Sequence, residues 1–501
     1  MCFHSAIAAS TRLPNKLNMQ RLIVIGGGAA GSAVVGELLR RGQPGEFDLT
    51  WLVGRQAPGR GVAYSTTAEH HLLNVRAANM GLFADDVGGF IAHGQAQGWP
   101  VKGLDFVPRA WYGDYVEAVL AREISAARER GLALRVLSTD ATSVRGDDAN
   151  GYVVGTADGE DFDADGVVLA IGALPSTPLA EVTEAARASH AYTADPWHWP
   201  LPRRAPERVV VLGTGLTAVD ALQSAARLWP NAQLTAISRH GRLPRNHNPA
   251  PGQPYEHQAS LVDALRARPQ VVHWLREIRA AMDDEDVEWR SVIDGLRAET
   301  QGLWRLLDTA ERARFLRHLR WLWESARHRL PQQTTNELAR LRTQGRLKIL
   351  AAHIRSIDVR AGERDQLEVR VQPRGAESVR SFAADLVIQA TGFNISVNAT
   401  DHPLIQQMVQ EGVAHPDELD LGLATDAEGR LLRADSTPRH GLRCLGTLLR
   451  GSMWECSSLP EIRALAKAIA CELPAELRRV AKPVSARSST SRNAAFVSAV
   501  A

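Results

Sequence analysis

Residues 21–32 read Arg21-Leu-Ile-Val-Ile-Gly26-Gly-Gly28-Ala29-Ala30-Gly31-Ser32, and this stretch decides the fold of the amino-terminal part of the chain. A β-branched run enters a glycine-rich turn, and a helical pattern follows. In a dinucleotide-binding turn the first glycine permits the bend, the second lets backbone N–H groups approach a pyrophosphate, and the third packs helix against strand. The stretch predicts a strand, a phosphate-binding turn and a helix, with residues 26 and 28–32 at the cofactor.

The same pattern occurs a second time, in Val209-Val-Val-Leu-Gly213-Thr214-Gly215-Leu216-Thr217-Ala218. One such turn can be a mere tight connection, but two in the same strand-turn-helix context indicate two bound dinucleotides. A protein with two dinucleotides is usually arranged to pass electrons from a nicotinamide to a flavin. We therefore predict FAD at the first turn and a nicotinamide cofactor at the second, where residues 213–217 contact it.

The nicotinamide preference follows from charge. The strand after the second turn ends in Ser238 and Arg239, and Arg242 and Arg245 lie close behind. Guanidinium groups match a 2′-phosphate, whereas an acid at this strand end would select NAD. We expect Ser238, Arg239 and Arg242 to bind NADPH; the alternative is a solvated basic loop.

Three further places are predicted to contact cofactor. After the second strand, where an acid commonly binds the adenosine ribose, the chain has Val53, Gly54 and Arg55. Either the backbone and Arg55 bind the ribose, or the affinity for the first cofactor is lower than usual. The hydrophobic runs 165–175 and 385–393 end in small-residue turns suited to close cofactor contact, at Gly172 and at Thr391-Gly392. They are predicted to link the flavin domain to the inserted domain.

The predicted fold class is α/β, with two Rossmann-like, doubly wound dinucleotide-binding domains, the second inserted into the first, and a helical subdomain. Met19 is an alternative translation start. The predicted divisions are a disordered extension (1–18), the first part of the FAD-binding domain (19–200), the NAD(P)-binding domain (205–257, with 344–380 as a candidate contribution), the helical insertion (258–343), the second part of the FAD-binding domain (381–475) and a disordered tail (482–501).

Charge and composition narrow the class of partner. Lys and Arg (58) nearly balance Asp and Glu (56), for a net charge of +2, which gives no global attraction to nucleic acid or anionic lipid. The apolar runs are shorter than the roughly 20 residues that span a bilayer. We predict a cytoplasmic protein with a small-molecule substrate and no bound metal, and leave a homo-oligomer open. The four cysteines form no C-x-x-C pair, which argues against a redox-active dithiol.

Several stretches together resemble the bacterial FAD/NAD(P)-binding protein family, a group of FAD-dependent oxidoreductases related to flavin-dependent N-hydroxylating monooxygenases. The resemblance covers about residues 20–475. Residues 385–393 are similar to the D-x-x-x-(L/F)-A-T-G-Y signature of the N-hydroxylating enzymes, with Gln389 and Phe393 as departures. The other matching stretches are 59–66, 71–75, 106–109, 213–220, 238–245, 454–455 and 460–463.

The resemblance implies a flavin-facing site. Its candidates are His71, Asn74 and Arg76 in the amino-terminal part and Trp454 and Glu455 before the final helix; for His71 a structural role is an equal alternative. Thr447 stands where many related flavoproteins place an Asp, so backbone N–H groups near Gly446 are expected to bind the flavin instead.

The predicted function is that of a FAD-dependent, NADPH-using monooxygenase that hydroxylates an N or S atom of a small metabolite, with molecular oxygen, through a flavin C4a-hydroperoxide. Two alternatives stay open. One is a reductase or dehydrogenase that passes hydride to an organic acceptor without oxygen insertion. The other is a non-catalytic flavin-binding scaffold or redox sensor.

Overall fold

A computed structural model describes residues 19–55, 57–199, 202, 204–283, 286–362 and 366–480. The predicted extension (1–18) and tail (482–501) lie outside the described residues.

The strands that precede the two glycine turns are rich in β-branched residues and mostly buried. In chain order they are β1 Gln20–Ile25, β2 Phe47–Leu52, β3 Ala133–Leu137, β4 Ala141–Asp147, β5 Gly151–Thr156, β6 Asp161–Ala164, β7 Gly166–Leu169, β8 Tyr192–Thr193, β9 Arg208–Leu212, β10 Gln233–Ser238, β11 Leu347–Val359, β12 Leu367–Pro373, β13 Arg380–Ala384, β14 Leu386–Gln389, β15 Arg430–Leu432 and β16 Pro438–Cys444.

The α-helices alternate with the parallel strands and also fill one long stretch by themselves. In chain order they are α1 Ala29–Arg41, α2 Gly61–Tyr64, α3 Gly89–Ala96, α4 Arg109–Glu129, α5 Glu184–Arg187, α6 Leu216–Leu228, α7 Gln258–Ala267, α8 Val271–Met282, α9 Trp289–Gly295, α10 Thr300–Leu306, α11 Thr309–His318, α12 Arg320–Arg327, α13 Gln332–Thr343, α14 Pro403–Gln410 and α15 Leu459–Val480. None of the described helices is long and apolar enough to cross a membrane.

Two sheets carry the two fingerprints. The first has the order β15-β16-β7-β1-β2-β3, and all its neighbouring pairs except β15-β16 are parallel. The second has the order β13-β12-β11-β10-β9-β14-β8, parallel from β11 to β8. In both, the strand before the glycine turn lies inside the sheet, where a doubly wound fold binds nucleotide at the carboxyl ends of its strands.

The same arginine–aspartate contact occurs in both sheets. The Arg21 backbone N–H donates to Asp165 Oδ2 (2.7 Å), and the guanidinium contacts Asp165 Oδ1 (2.9 Å). Arg208 contacts Asp385 in the same way, at 2.8 and 3.0 Å. Each aspartate therefore fixes the strand before the glycine turn to its parallel neighbour, β1 to β7 and β9 to β14, which is a structural role.

Two predicted boundaries differ from the structure. The range 19–200, predicted as the first part of the FAD-binding domain, contains β8, which pairs with β14 in the second sheet. The sequence predicts that 381–475 forms the second part of the FAD-binding domain, but β13 and β14 belong to the second sheet, so the return to the first domain follows Gln389. The cause is pairing: β14 is parallel to β9 and completes the sheet of the second fingerprint. The two crossing connections run side by side, with an antiparallel bridge between Leu174 and Asn394.

Gln389, a departure from the N-hydroxylase signature, has a structural reason. Its side chain is 1% exposed. Its Oε1 accepts from the Tyr192 hydroxyl (2.5 Å) and the Leu179 N–H (3.1 Å), and its Nε2 donates to the Thr177 carbonyl (2.9 Å). The amide thus ties the first crossing connection to the second sheet, which Leu or Phe could not do.

The helical insertion occupies the chain between β10 and β11. Helices α7 to α13 run from residue 258 to 343. Part of it packs on the carboxyl-terminal segment of the first domain: Trp304 Nε1 donates to the Gly451 carbonyl (2.8 Å), and the Trp304 and Trp454 ring centroids are 4.8 Å apart. The insertion, which interrupts the second domain in sequence, therefore also packs against the first domain.

Candidate functional site

One cleft of about 1720 Å³ is lined by both glycine turns. Most of the predicted cofactor and catalytic residues line it; those that do not are Gly31, Ser32 and His71. Among the described residues, twelve arginines and five acidic side chains line the cleft. This excess of positive charge, in a chain of net charge +2, suits two cofactors that carry phosphate groups.

The glycines of the first turn divide into two kinds. Gly26 has φ +120°, and a Cβ there would lie 2.2 Å from the Ala170 carbonyl oxygen; a Cβ on Gly31 would lie 1.9 Å from the Gly26 oxygen. Both positions need glycine for the fold alone. A Cβ on Gly28 would meet only Gly61 Cα, at an ordinary 3.6 Å, so the space beside Gly28 is open to the cleft.

That open space fits a pyrophosphate. Gly28 is the N-cap of α1, and no side chain caps the helix there. The free N–H groups of the first turn, with Ala29 and Ala30 at the cleft, provide an anion site of the dinucleotide-binding type. Ser32 is fully buried in α1 with an unpartnered hydroxyl and does not line the cleft, so its contact with the cofactor stays a prediction.

The second turn repeats this geometry. Gly213 has φ +118°, and a Cβ there would lie 2.2 Å from the Ala390 carbonyl oxygen. Gly215 caps α6 without a side-chain cap, and a Cβ on it would meet nothing within 4 Å. Leu216 and Thr217 line the cleft beside it. The second turn is therefore also open to a phosphate group.

Ser238 shapes the loop after β10. Its Oγ accepts from Thr214 Oγ1 (3.0 Å) and from the Gly241 N–H (3.0 Å). Gly241 has φ +58° and approaches Ala351 so closely that a Cβ would lie 2.7 Å from its N. Arg239 and Arg242 extend from this loop, and both line the cleft.

The flavin end of the first domain contributes Gly446 and Thr447. Gly446 has φ +97°, and a Cβ there would lie 3.8 Å from Ala30 Cβ, which places this turn next to the start of α1. Thr447 Oγ1 is buried, has no hydrogen-bond partner among the described residues and belongs to a residue that lines the cleft. An orphaned hydroxyl beside the first phosphate site fits a flavin cofactor that would supply its partner.

Gly172, Thr391 and Gly392 lie on the two crossing connections and line the cleft. Gly172 has φ +77° and Gly392 φ +100°, and a Cβ on either would meet nothing within 4 Å. The Gly392 carbonyl accepts from Ser176 Oγ (2.9 Å), which joins the two connections.

His71 has surroundings that favour the structural alternative over the catalytic one. It is 7% exposed and does not line the cleft. Its Nδ1 is 2.7 Å from Thr66 Oγ1, and its Nε2 is 2.8 Å from Ser224 Oγ on α6. Burial, with the charge of Arg109, lowers the pKa of His71 to about 4. The ring is a neutral structural contact between the two domains.

The other four predicted flavin-facing residues line the cleft. The Asn74 carbonyl accepts from His247 Nε2 (3.0 Å), and among the described residues its side-chain amide has no hydrogen-bond partner. The Arg76 guanidinium donates to the Leu104 and Asn248 carbonyls, at 2.9 and 2.7 Å, so its donors hold a loop.

Glu455 and Trp454 are both buried. Glu455 Oε1 accepts from Trp323 Nε1 (3.1 Å), and Oε2 is 3.2 Å from Arg327 Nε. The carboxylate therefore joins α12 of the helical insertion to the segment before α15. Both partners, Trp323 and Arg327, lie on α12, so the carboxylate is engaged at this interface.

An acid does stand at the end of β2, although the sequence stretch there has none. Asp140, from the turn between β3 and β4, lines the cleft, and its Oδ1 lies 2.9 Å from the position that a Cβ on Gly54 would take. Arg55 pairs with it at 3.3 Å and is 83% exposed. Neighbouring parallel strands bring Asp140 to this place, which a search confined to the end of β2 misses.

A buried ion pair that sequence analysis also missed crosses between the domains. Arg109, at the start of α4, lies 3.0 Å from Asp220 of α6, and their side chains are 12% and 8% exposed. Burial raises the pKa of Asp220 to about 6, although the Arg109 charge acts in the opposite direction. Arg109 and Asp220 fall in the stretches 106–109 and 213–220 that the resemblance singled out. That resemblance was the sequence signal that could have pointed to the pair.

We expect Arg109→Met to destabilise the protein by about 3–5 kcal/mol near about pH 8, because it leaves the Asp220 carboxylate buried without its partner. The pKa of Asp220 is then raised further, so the folded state binds a proton that the unfolded state releases. The free energy of unfolding of Arg109→Met therefore increases as the pH falls towards about 5 and decreases as the pH rises. Chemical denaturation across this range measures the effect.

The double variant Arg109→Met/Asp220→Asn is the control. It removes the buried charge, and we expect it to be more stable than Arg109→Met near about pH 8 and to lose the added pH dependence. Equal pH dependence in both variants would show that Asp220 is not the titrating group.

No group of three or more potential metal ligands occurs within the described ranges. Cys444 and Cys456 are buried and Cys471 is exposed, and none of these three lines the cleft.

The fold and the cleft define a protein with two dinucleotide-binding domains that share one site. A family model described as FAD-NAD(P)-binding matches residues 23–174, so this part of the chain is a FAD-NAD(P)-binding domain. Among curated proteins, uncharacterised proteins of Mycobacterium tuberculosis and Mycobacterium bovis are 22% identical over an alignment of 413 residues that covers 75% of this chain and 74% of theirs.

Solved structures of N-hydroxylating flavoproteins share the fold. The cadaverine monooxygenase of Erwinia amylovora, solved with FAD, has a TM-score of 0.61 at 15% identity and covers 96% of this chain and 100% of its own. The ornithine N-hydroxylase of Kutzneria sp. 744 has a TM-score of 0.60 at 14% identity, covering 92% and 99%. The L-lysine 6-monooxygenase of Pseudomonas syringae has a TM-score of 0.59 at 17% identity, covering 92% and 100%.

These matches confirm the predicted fold class, the predicted resemblance and the FAD- and NAD(P)-binding character of the protein. At these identities the structural likeness shows the fold.

Proposed function

We propose that the protein is a FAD-dependent, NADPH-oxidising monooxygenase that hydroxylates a nitrogen or sulfur atom of a small metabolite. The observation that carries the proposal is the pair of phosphate turns on one cleft, each open at its second glycine. The fold shared with N-hydroxylating monooxygenases supports the oxygen-inserting class. Asn74 and the crossing connections provide polar and small residues between the two turns.

When bound, the flavin supplies electron transfer from NADPH and the activation of oxygen. The chain's own residues would bind and orient the two cofactors. The starts of α1 and α6 would hold the two pyrophosphates, and Thr447 and the Gly446 turn would hold the flavin side of the first cofactor. Asp140 is the proposed partner of the adenosine ribose, with Arg55 beside it.

The helical insertion is proposed to exclude water from the reacting end of the cleft. Arg320, Glu324 and Arg327 of α12 line the cleft, and Glu455 fixes α12 to the flavin domain. A closed, dry site favours productive oxygen transfer over loss of the reactive oxygen species to solvent. The small-molecule substrate would enter from the side of the cleft lined by Asn74 and Asn248.

The deciding experiment uses the purified yellow holoprotein. NADPH is added without air to record bleaching of the flavin, and isotopically labelled molecular oxygen is then admitted with a panel of amines and thioethers. Label in an N-hydroxylated amine or in a sulfoxide, detected by mass spectrometry, supports the proposal. Turnover without air on an organic acceptor, with no label incorporated, would overturn oxygen insertion in favour of a reductase, and retained FAD that NADPH does not reduce would favour a scaffold or sensor.

Arg239→Ala is expected to raise the KM for NADPH about 10- to 100-fold and to change the KM for NADH little, because a charge-assisted bond to the 2′-phosphate contributes about 1.5–3 kcal/mol. Steady-state oxidation of both nucleotides measures this difference. Arg370→Ala, which removes an exposed arginine of β12 from outside the cleft, is the matched control. Equal losses for NADPH and NADH in Arg239→Ala would refute the 2′-phosphate role.

A further inference from the structure

A basic patch surrounds the loop after β10 and is larger than the sequence suggested. Arg239, His240 and Arg242 belong to the loop itself, and Arg374 follows β12. Arg374 Nη1 lies 3.2 Å from His240 Nδ1. The three arginines are exposed, and none of them forms an ion pair with a carboxylate of the described residues. We call these four residues the β10 patch.

The charged groups around His240 are all positive or protonatable. Burial lowers the pKa of His240, and the charges of Arg374, Arg239, Arg242 and His353 lower it further, in that order. His353 is on β11 and lines the cleft, as do the three patch residues of the loop. Three strands and their following turns thus contribute positive or protonatable groups to one place. Such a concentration of cations fits a dianionic phosphate.

The helical insertion reaches this patch through one side chain. The Trp321 ring of α12 stacks on the His240 ring, with centroids 4.2 Å apart and an interplanar angle of 20°. The Arg242 guanidinium lies over the same indole, 5.4 Å from its centroid. Trp321 Nε1 donates to the His318 carbonyl (2.9 Å), which fixes the orientation of the indole. One aromatic ring therefore contacts two members of the patch.

Backbone contacts hold the same loop against the insertion. The Arg245 N–H donates to the Ser325 carbonyl (2.9 Å), and the Leu330 N–H donates to the Arg245 carbonyl (2.8 Å). The loop after β10 is consequently docked on α12 and the turn that follows it. Its conformation depends on a part of the chain outside the dinucleotide fold.

We propose that Arg239, His240, Arg242 and Arg374 form the site for the 2′-phosphate of NADPH, and that Trp321 of the helical insertion is the positioning residue that holds His240 and Arg242 in it. The inference rests on the proposed function for the identity of the nucleotide. It adds His240, Arg374 and Trp321 to the arginines expected from the sequence. Selection of NADPH over NADH then requires the docked helical insertion.

The site has a pH signature. A phosphate monoester is mostly dianionic above about pH 6.5. Bound next to His240, it favours the imidazolium and raises the pKa of that ring relative to the free protein. The preference for NADP⁺ over NAD⁺ therefore decreases as the pH rises through the raised pKa of His240 in the complex, and the decrease requires His240. The groups that face His240 are Arg239, Arg242, Arg374 and His353, together with the Trp321 ring.

The test measures binding of NADP⁺ and NAD⁺, which differ only in the 2′-phosphate, to the FAD-loaded protein by calorimetry. We expect Trp321→Ala to reduce the NADP⁺ to NAD⁺ affinity ratio about tenfold and Trp321→Phe to restore most of it, because a phenyl ring can still stack. Trp111→Ala removes an indole that packs on Trp99 outside the cleft, and its ratio should equal that of the wild type. An unchanged ratio in Trp321→Ala would overturn the positioning role.

Arg374→Ala tests the patch without touching the insertion. We expect a similar selective loss of NADP⁺ affinity, and in His240→Gln the pH dependence of the ratio should disappear. Equal binding of NADP⁺ and NAD⁺ by the wild-type protein would overturn the whole inference. Because these measurements need no turnover, they are independent of whether oxygen is inserted, which the labelled-oxygen experiment decides.

Discussion

A Gly28→Val variant is expected to fold normally and to be purified without bound flavin. Gly28 has extended backbone (φ −78°, ψ −175°), which valine adopts readily, and a Cβ at this position would meet only Gly61 Cα, at 3.6 Å. The isopropyl group would occupy the place proposed for the FAD pyrophosphate. We expect FAD affinity to fall more than about 100-fold, or about 2.8 kcal/mol.

Absorbance of the purified variant and titration with FAD measure this loss, and thermal unfolding of the flavin-free proteins shows whether the fold is kept. Gly88→Val is the matched control, because a Cβ there would meet nothing within 4 Å and the residue lies outside the cleft. Gly26→Val should behave differently and fail to fold, since its Cβ would collide with the Ala170 carbonyl. A yellow, fully loaded Gly28→Val protein would refute the first phosphate site.

The Gly215→Val variant is expected to keep FAD and lose NADPH. The N-cap of α6 has extended backbone (φ −77°, ψ −172°), and a Cβ there has open space, so the fold should tolerate valine. The side chain would block the second phosphate turn. We expect affinity for NADPH and for NADH to fall together by more than about 100-fold, because both carry the pyrophosphate.

Reduction of the bound flavin by NADPH without air measures this effect: the variant should stay yellow where the wild type bleaches. Dithionite is the control reductant and should bleach both proteins equally. Normal reduction of Gly215→Val by NADPH would place the nucleotide elsewhere. Together with Gly28→Val, this variant separates the two cofactor sites, since each change leaves the other turn intact.

The equivalence of the two turns could be predicted from the sequence, but the different roles of the glycines within each turn could not. The pattern indicates that Gly26, Gly28 and Gly31 are required. Only the structure shows that Gly26 and Gly31 are required by nearby carbonyls of the protein itself, whereas Gly28 leaves space for a ligand. The nearest atom to Gly26 belongs to Ala170, far away in the chain, and this distance in sequence hides it from local analysis.

His71 and Asp140 show the same limit in opposite directions. His71 lies in a stretch that pointed to the flavin, but α6 of the other domain covers it, and its ring nitrogens are both occupied by hydroxyl partners. Asp140 lies in no motif, yet the pairing of β2 with β3 brings its carboxylate beside Gly54. In both cases a neighbour that is distant in sequence determines the surroundings of the side chain.

The sequence by itself determined the two strand-turn-helix units, the helical insertion and the positive end of β10, because these depend on residue types at fixed local spacing: β-branched runs, glycines at a bend and clustered arginines. The tertiary structure decided which sheet β14 joins, where Arg109 meets Asp220, and how Trp321 contacts His240 and Arg242. These features arise from long-range packing, in which burial and charge pairing between distant segments select the neighbours, and local patterns carry no information about those neighbours.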